Sequence, residues 1–448
     1  MSIISNAVSG LTASLTALQT VSNNSANAMV PGYSRQQVVL SSAVSDEKGY
    51  GVRVNGVRRI SDEYQVIHKR EANTTVNYAK IQSQYTGQTE KIFSTAGTNI
   101  ASGINKFISA ASAAMEKPSE QAYRQAVINE SKSLAQRFNA ISSGLNQQKI
   151  QLAGQIDGTT KKVNMLLRNI SKFNVEALTQ GAANPSLEDR RDNSLNELAS
   201  LIKIKVTKHN NGAIDVSLDK GQPLLSGTQH ATFVIENGKT EPEVKFGSSK
   251  FALDSSTGGS LGGLLDYNRK DLKKNIDFIN ELAGNFFGEV NTVLKQGTDV
   301  NGAKPTVDLF TFNAKMAAST AAVTDGFQPN MLAFGLKGKP GDNDNLKNII
   351  AIADKKFTFT SLGKTETQPT DAFISKVGEL GTDSQEARIH LDTAKELDKE
   401  ATQLWASTSG VNMDEQAINL MVYQQSYQAN AKIITAADKL FQSILSSF

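Results

Sequence analysis

The side chains able to do chemistry are few and scattered. The four histidines, His68, His209, His230 and His390, have no neighbour at metal-ligand spacing and read as surface or turn residues. There is no cysteine, which excludes disulfides, thiolate nucleophiles and cysteine-held metals together. Gly258-Gly259-Ser260-Leu261-Gly262-Gly263 has the outline of a phosphate cradle, but no Lys-Ser or Lys-Thr follows it, so it reads as a turn before a helix at Leu264. Gly341-Asp342-Asn343-Asp344-Asn345 has the acidic spacing of a calcium loop, yet no Glu closes it and Lys347 intrudes, which leaves a capped turn. Glu188, Asp189 and Asp192 could pose as an acid pair; Arg190 and Arg191 lie between them, and helical salt links are the plainer reading. The expectation is no catalytic residue, no cofactor and no metal.

What remains to be explained is mechanical. A chain of 448 residues is long enough for two to four domains. Hydrophobic residues make up 39% and aromatics 6%, with Trp405 the one tryptophan, which favours long helices over an aromatic-lined pocket. A formal charge of +3 names neither nucleic acid nor a membrane as partner. No apolar run approaches the roughly 18 residues needed to span a bilayer. The first residues, Met1 to Asn6, lack the basic and apolar regions of a cleaved secretion signal. A cysteine-free chain suits either a reducing cytosol or export in an unfolded state through a narrow channel.

The two ends carry the clearest periodicity. Ile4, Val8, Leu11, Leu15 and Leu18 recur at spacings of four and three, one narrow stripe of a helix flanked by Ser, Thr, Asn and Ala. Pro31 and Gly32 predict its end near Met29. Ile418, Val422, Ala429, Ile433, Ala436, Leu440 and Ile444 form a matching stripe at the other end. Burying the first stripe gains about 7–15 kcal/mol, whereas ordering its residues costs about 1–2 kcal/mol each. Both ends are therefore expected to fray in the free subunit and to be helical when packed against neighbours.

Between the ends, Arg35–Val44 and Gly51–Ile60 predict short strands or an extended arm. Residues 61–180 read as long helices with breaks at Gly97, Lys117-Pro118-Ser119 and Asp157-Gly158. Within them Phe138, Leu145, Leu152, Leu166 and Phe173 lie on one heptad series beside Leu134, Ile141, Ile156, Val163, Ile170 and Ala177. Ser186 is the expected N-cap of a helix to Leu201. Alternation in Ile202–Val206 and Ile214–Leu218, with further strands at Leu224-Leu225 and Ala231–Ile235, predicts a small β domain over 203–260. Helices follow from Leu264 to Val293, Asn345 to Ala353 and Ala387 to Leu404, with strands at Val307–Phe312 and Phe357–Thr360. The fold class is mainly α with a small β domain. Three parts are expected: a coiled-coil-like inner assembly domain (1–33 plus 410–448), a mainly helical bundle (34–202 plus 261–409) and a β-rich outer domain (203–260).

Asn23-Asn24-Ser25-Ala26-Asn27, followed by Pro31-Gly32-Tyr33-Ser34-Arg35, resembles the signature closing the N-terminal helix of flagellar axial proteins. Its Pro-Gly-Tyr-Ser-Arg form is similar to the hook-associated protein 1 family; hook and rod subunits typically carry a Thr-Gly-Phe ending. The run from Ser409-Gly410-Val411-Asn412 through Tyr427-Gln428-Ala429 to Ile433-Ile434 resembles that family's last helix, and Asp189–Leu198 and Gly258–Leu265 resemble internal landmarks. Val30 stands where the family usually has Thr, and the chain is short for the family, which suggests a reduced outer domain. The resemblance implies a structural, non-enzymatic subunit of the hook–filament junction, exported unfolded by the flagellar type III apparatus and extracellular once assembled. The implied partners are its own copies in a ring, the hook protein, the second junction protein and an export chaperone on the C-terminal helix. It further implies that Ile4, Val8, Leu11, Leu15 and Leu18 pack with Ile418, Val422, Ile433, Leu440 and Ile444 in an inner tube.

Overall fold

The computed structural model describes residues 2–45, 48–180, 184–339 and 341–446. Helix α1 (Ser2–Asn27) leads into a hairpin, β1 (Gln36–Ser45) and β2 (Lys48–Arg59). Helices α2 (Glu63–Ser94), α3 (Ile100–Ala114), α4 (Gln121–Gln180) and α5 (Pro185–Leu201) follow. Seven strands come next: β3 (Ile204–Lys208), β4 (Ile214–Leu218), β5 (Pro223–Ser226), β6 (Gln229–His230), β7 (Thr232–Ile235), β8 (Pro242–Phe246) and β9 (Ser249–Ala252). They form antiparallel sheets ordered β3-β4-β5-β6 and β7-β8-β9. Helix α6 (Gly259–Asp266) passes through a π-helical stretch, Tyr267–Leu272, into α7 (Lys273–Gln296). Next come β10 (Phe310–Thr311), α8 (Ala317–Thr320), β11 (Ala322–Val323), α9 (Asp344–Ala351), β12 (Phe357–Phe359) and β13 (Thr365–Thr367). Helices α10 (Pro369–Ser409) and α11 (Met413–Leu445) close the chain. The chain is mainly α with small antiparallel sheets and long terminal helices.

Four local expectations need correction: first, α6 begins at Gly259, so residues 259–263 lie inside the helix rather than in a turn before Leu264. Helix α4 runs through Asp157-Gly158 without a break. One glycine costs a helix about 1 kcal/mol, and buried Ile156 and Val163 on either side outweigh that. Asn184, not Ser186, caps α5: its side chain accepts from the Leu187 amide, and Pro185 takes the first helical position, where no amide is needed. Helix α10 starts at Pro369, well before Ala387.

Contacts divide the chain into two units: Met1–Tyr78, Thr159–Gly262 and Thr393–Phe448 form the first, Ala79–Gly158 and Gly263–Asp392 the second. In the second unit, rings of Phe138, Phe286, Phe287 and Phe310 pack edge to face or tilted, with centroids 4.4–5.9 Å apart. The heptad residues Phe138, Leu145 and Leu152 of α4 are buried there. Among them lies one polar network. The Tyr267 hydroxyl bonds Gln148 Oε1 at 2.9 Å and Thr89, and Gln148 Nε2 donates to the Tyr85 carbonyl at 3.1 Å. A network satisfied at each member locks helix register where apolar side chains alone would tolerate sliding.

One device recurs in both units. A helix-borne asparagine uses its carboxamide as a one-residue strand, accepting from the amide and donating to the carbonyl of the same residue of an extended segment. Asn164 does this to Phe233, with bonds of 2.7 and 2.8 Å. Asn174 does it to Ile214 at 3.0 and 2.7 Å, and Asn291 to Phe310 at 3.0 and 2.7 Å. Such bonds satisfy strand-edge groups that burial would otherwise strand.

Candidate assembly surface and its joint

Helix α1 buries one face and leaves another open. Ala7, Ser14, Ala17, Val21 and Asn24 are buried, and with Gly10 they follow a heptad alternation along the helix. Helix α11 lies against this face. Gly10 leaves no room for a methyl group beside the Asn430 carboxamide, Ser14 Oγ donates to Ser426 Oγ at 3.1 Å, and Asn24 Nδ2 donates to Gln416 Oε1 at 3.0 Å. The seam within the chain is thus built of small and polar residues, which lets two backbones approach closely.

The apolar stripe points the other way. Ile4, Val8 and Leu15 are 42%, 48% and 44% exposed, while Leu11 and Leu18 are half-buried. On α11, Ile418, Val422, Ile433, Leu440 and Ile444 are all exposed. The contacts joining α1 to α11 therefore run through other residues, and both stripes remain open. With neighbouring Leu420, Met421, Phe441 and Leu445 also exposed, α11 carries an apolar surface far beyond scattered single residues.

The signature residues form the joint at the foot of these helices. Asn24 is 1% exposed and uses all its bonding capacity. Its Oδ1 accepts from the Gln36 amide at 2.9 Å and the Tyr33 hydroxyl at 3.0 Å, and its Nδ2 donates to the Gln36 carbonyl at 2.9 Å as well as to Gln416. This is the fourth instance of the asparagine strand. Asn23 is exposed; its carbonyl accepts from Asn27 Nδ2 at 2.9 Å, and the Asn27 carbonyl accepts from the Val30 amide. Pro31 is exposed. Gly32 has φ +77°, and a side chain there would lie 1.9 Å from Asn193 Oδ1.

Beyond the turn, the Ser34 amide donates to Asp189 Oδ2 at 3.1 Å, and the Arg35 amide to the Ser409 carbonyl at 2.7 Å. Arg35 Nη1 donates to Glu415 Oε1 at 2.6 Å, in the first turn of α11. Asn412 caps that turn through the Asp414 and Glu415 amides. Gly410 is required beside it, since a Cβ would sit 2.4 Å from the Ala406 carbonyl. The two chain ends are thereby tied to one turn.

The acids Glu188, Asp189 and Asp192 are held mainly from a distance, and the expected helical link survives in Arg191 Nε, 3.7 Å from Asp192 Oδ1. Arg59, at the end of β2, spans them: Nε donates to Glu188 at 2.6 Å, Nη1 to Asp189 at 3.2 Å and Nη2 to Asp192 at 2.6 Å. Arg190 instead faces Glu176, and Arg191 donates to the Gly212 carbonyl at 3.0 Å. Burial pulls Arg59 down, but its three carboxylates outweigh it and raise its pKa. Burial raises Asp189 above the usual carboxylate range despite bonds from Ser34 and Arg59. The Tyr33 hydroxyl is pushed up to about 12, by burial first and by Asp189 second. Sequence reasoning missed Arg59, because nothing local links it to residues 130 positions away.

His68, His209 and His390 are exposed and His230 half-buried. Among the described residues, no group of three His, Cys, Asp or Glu could hold a metal ion. Asp342 spends its carboxylate on the Leu336, Lys337 and Asp344 amides, as a turn cap does. No helix among the described residues is long and apolar enough to cross a membrane.

Comparison with known proteins agrees with this arrangement. A family model described as the flagellar hook-associated protein FlgK helical domain matches residues 86–310, and one for the C-terminal region of flagellar basal body rod FlgEFG proteins matches 405–447. Flagellar hook-associated protein 1 of Bacillus subtilis (strain 168) is 27% identical, covering 97% of this chain and 96% of its own. The Escherichia coli (strain K12) protein of that name is 25% identical, with 99% of each covered. That alignment spans 547 positions, so the relative carries stretches this 448-residue chain lacks. The solved structure of the flagellar hook junction protein FlgK from Burkholderia pseudomallei shares the fold, with TM-score 0.68 at 14% identity over 77% of this chain and all of that one. With half of the chain matched by its family model and both ends tied to one signature turn, this chain belongs to the flagellar hook-associated protein FlgK family.

Proposed function

We propose that the chain is a structural subunit of the hook–filament junction, without catalytic activity, that polymerises with its own copies through its terminal helices. The observation that carries this is the pair of apolar stripes left open on α1 and α11. Their ten residues are each about half exposed, so burial is worth about 1 kcal/mol apiece. That total is of the same order as the roughly 4–15 kcal/mol lost in association. A ring in which each copy contacts two neighbours adds the margin.

In this reading, residues 1–33 and 410–448 form the inner assembly domain, 34–202 with 261–409 the bundle, and 203–260 the outer domain. The hook protein lies below and the second junction protein above. The chain leaves the cytoplasm unfolded through the flagellar type III apparatus. Until export, a chaperone covers part of the α11 stripe, and the destination is extracellular.

Electron microscopy of a strain lacking the gene tests the reading, with flagellin assayed in the medium. Complete hooks without filaments, together with secreted flagellin, are expected. Absent hooks would move the chain down to the rod or hook. Leu15→Asp and Ile418→Asp should reproduce the phenotype while leaving the purified subunit folded, because both sites face solvent; normal filaments in both would refute the stripes as the contact.

A further inference from the structure

Beside the joint lies a cavity of about 220 Å³, walled by α1 (Thr20, Val21), β1 (Gln37, Val38) and α11 (Asn419, Tyr423). Strand β1 borders it with an edge that β2 does not use. The Arg35 carbonyl accepts from the Ile60 amide while its own amide goes to Ser409, and Gln36 turns both its groups outward to Asn24; by alternation Gln37 faces β2 and Val38 faces outward. Asn24 satisfies both groups of Gln36. One rung further, Val38 presents its amide and carbonyl to the cavity, and among the described residues nothing outside the strand bonds them. Arg35 Nε, buried at the same wall, also lacks an acceptor. The stretch Gln36–Ser42 has no lysine, no proline and no inward charge, the usual defences of a strand edge.

We infer that this groove is a strand-addition site that takes an extended main-chain segment from a second copy of this chain. An extended residue suits the open set: its carbonyl accepts from the Val38 amide, its own amide donates to the Val38 carbonyl, and a following carbonyl accepts from Arg35 Nε. Asparagine side chains make the same two-bond pairing at four other rungs of this chain, which shows the geometry to be readily satisfied. The volume far exceeds what one water needs. The choice of a second copy rests on the function proposed above. Asn419 and Tyr423 stand on the same turns of α11 as Ile418 and Val422, so a copy that covers those exposed residues passes the mouth of the groove.

Site-specific photo-crosslinking in assembled flagella tests this, with the photoreactive residue at position 37, on the groove wall, or at 418, on the stripe. The expected result is a copy-to-copy adduct from both positions. Val38→Pro should reduce the adduct from 37 about five- to tenfold, the worth of one hydrogen bond, because it removes an outward amide that β2 does not use. An adduct from 418 with none from 37, or with 37 joined to a different protein, overturns the inference and leaves the stripe reading intact. Copy-to-copy adducts from neither position overturn both. The wild-type β1 backbone is kept in the crosslinking arm, so a hairpin unfolded by proline does not decide the outcome.

Discussion

Replacing Asn24 by alanine removes four hydrogen bonds at one point: two to the Gln36 backbone, one to Tyr33 and one to Gln416. A neutral hydrogen bond is worth about 0.5–1.5 kcal/mol net, and stranding a buried partner costs more. Water reaches this joint through the neighbouring cavity and reclaims part of the loss, so about 2–3 kcal/mol is the expected destabilisation. Trp405 is the sole tryptophan and lies in the first unit, so its emission follows that unit in a urea titration. With a denaturant slope of about 2 kcal/mol per molar, the midpoint should fall by about 1–1.5 M. Asn24→Asp keeps the two accepted bonds but sets a buried carboxylate oxygen against the Gln36 carbonyl and Gln416 Oε1, so near neutrality it should be destabilised at least as much as alanine. A shift below about 0.3 M for alanine would refute the argument that this side chain holds the joint. A near-wild-type midpoint for Asn24→Asp would refute the assignment of its donated bonds.

Three further outcomes follow from the same structure. Arg59→Met removes the cation shared by Glu188, Asp189 and Asp192 and should cost about 3–5 kcal/mol near neutrality. Asp189 already binds its proton more tightly folded than unfolded, so its contribution is fully present below its ordinary value of 3.8 and is lost as pH rises through the raised one; the variant's deficit should shrink as pH falls into that range. Gly32→Ala, at φ +77°, should cost about 1–2 kcal/mol by the same urea titration, and Asn193→Ala should relieve only the part due to the clash. Tyr267→Phe removes the hydroxyl that joins Gln148 to Thr89 and should lower the thermal midpoint of the second unit, with a loss of about 1–3 kcal/mol in calorimetry.

The parts legible in the sequence are those with a local signal. Pro31 and Gly32 end α1 where expected, and the heptad residues from Leu134 to Ala177 bury as their period implies, Phe173 only in part. The stripes on α1 and α11 were visible as periodicity, but the face that packs within the chain was not. Ala7, Gly10, Ser14 and Ala17 are too small and too mixed in polarity to stand out, yet small size is what lets α11 come close. Strands β8 and β9 were missed because Pro242 and Val244 are their only buried residues, set among alternating charges. The joint itself joins Asn24 to Gln416 and Arg59 to Asp192, and no window along the chain contains both members of either pair.

The contrast between the two faces of α1 bears on temperature. The inner face holds α11 by close approach and hydrogen bonds, which change little on modest cooling, whereas the outer face offers apolar surface whose driving force is entropic near room temperature and fades in the cold. Copies joined through the outer stripes should therefore associate with a negative heat-capacity change and loosen on ice, while each subunit keeps its own helix pair. The same two helices are in that sense wired for two thermal responses: a permanent bond inward and a heat-strengthened one outward.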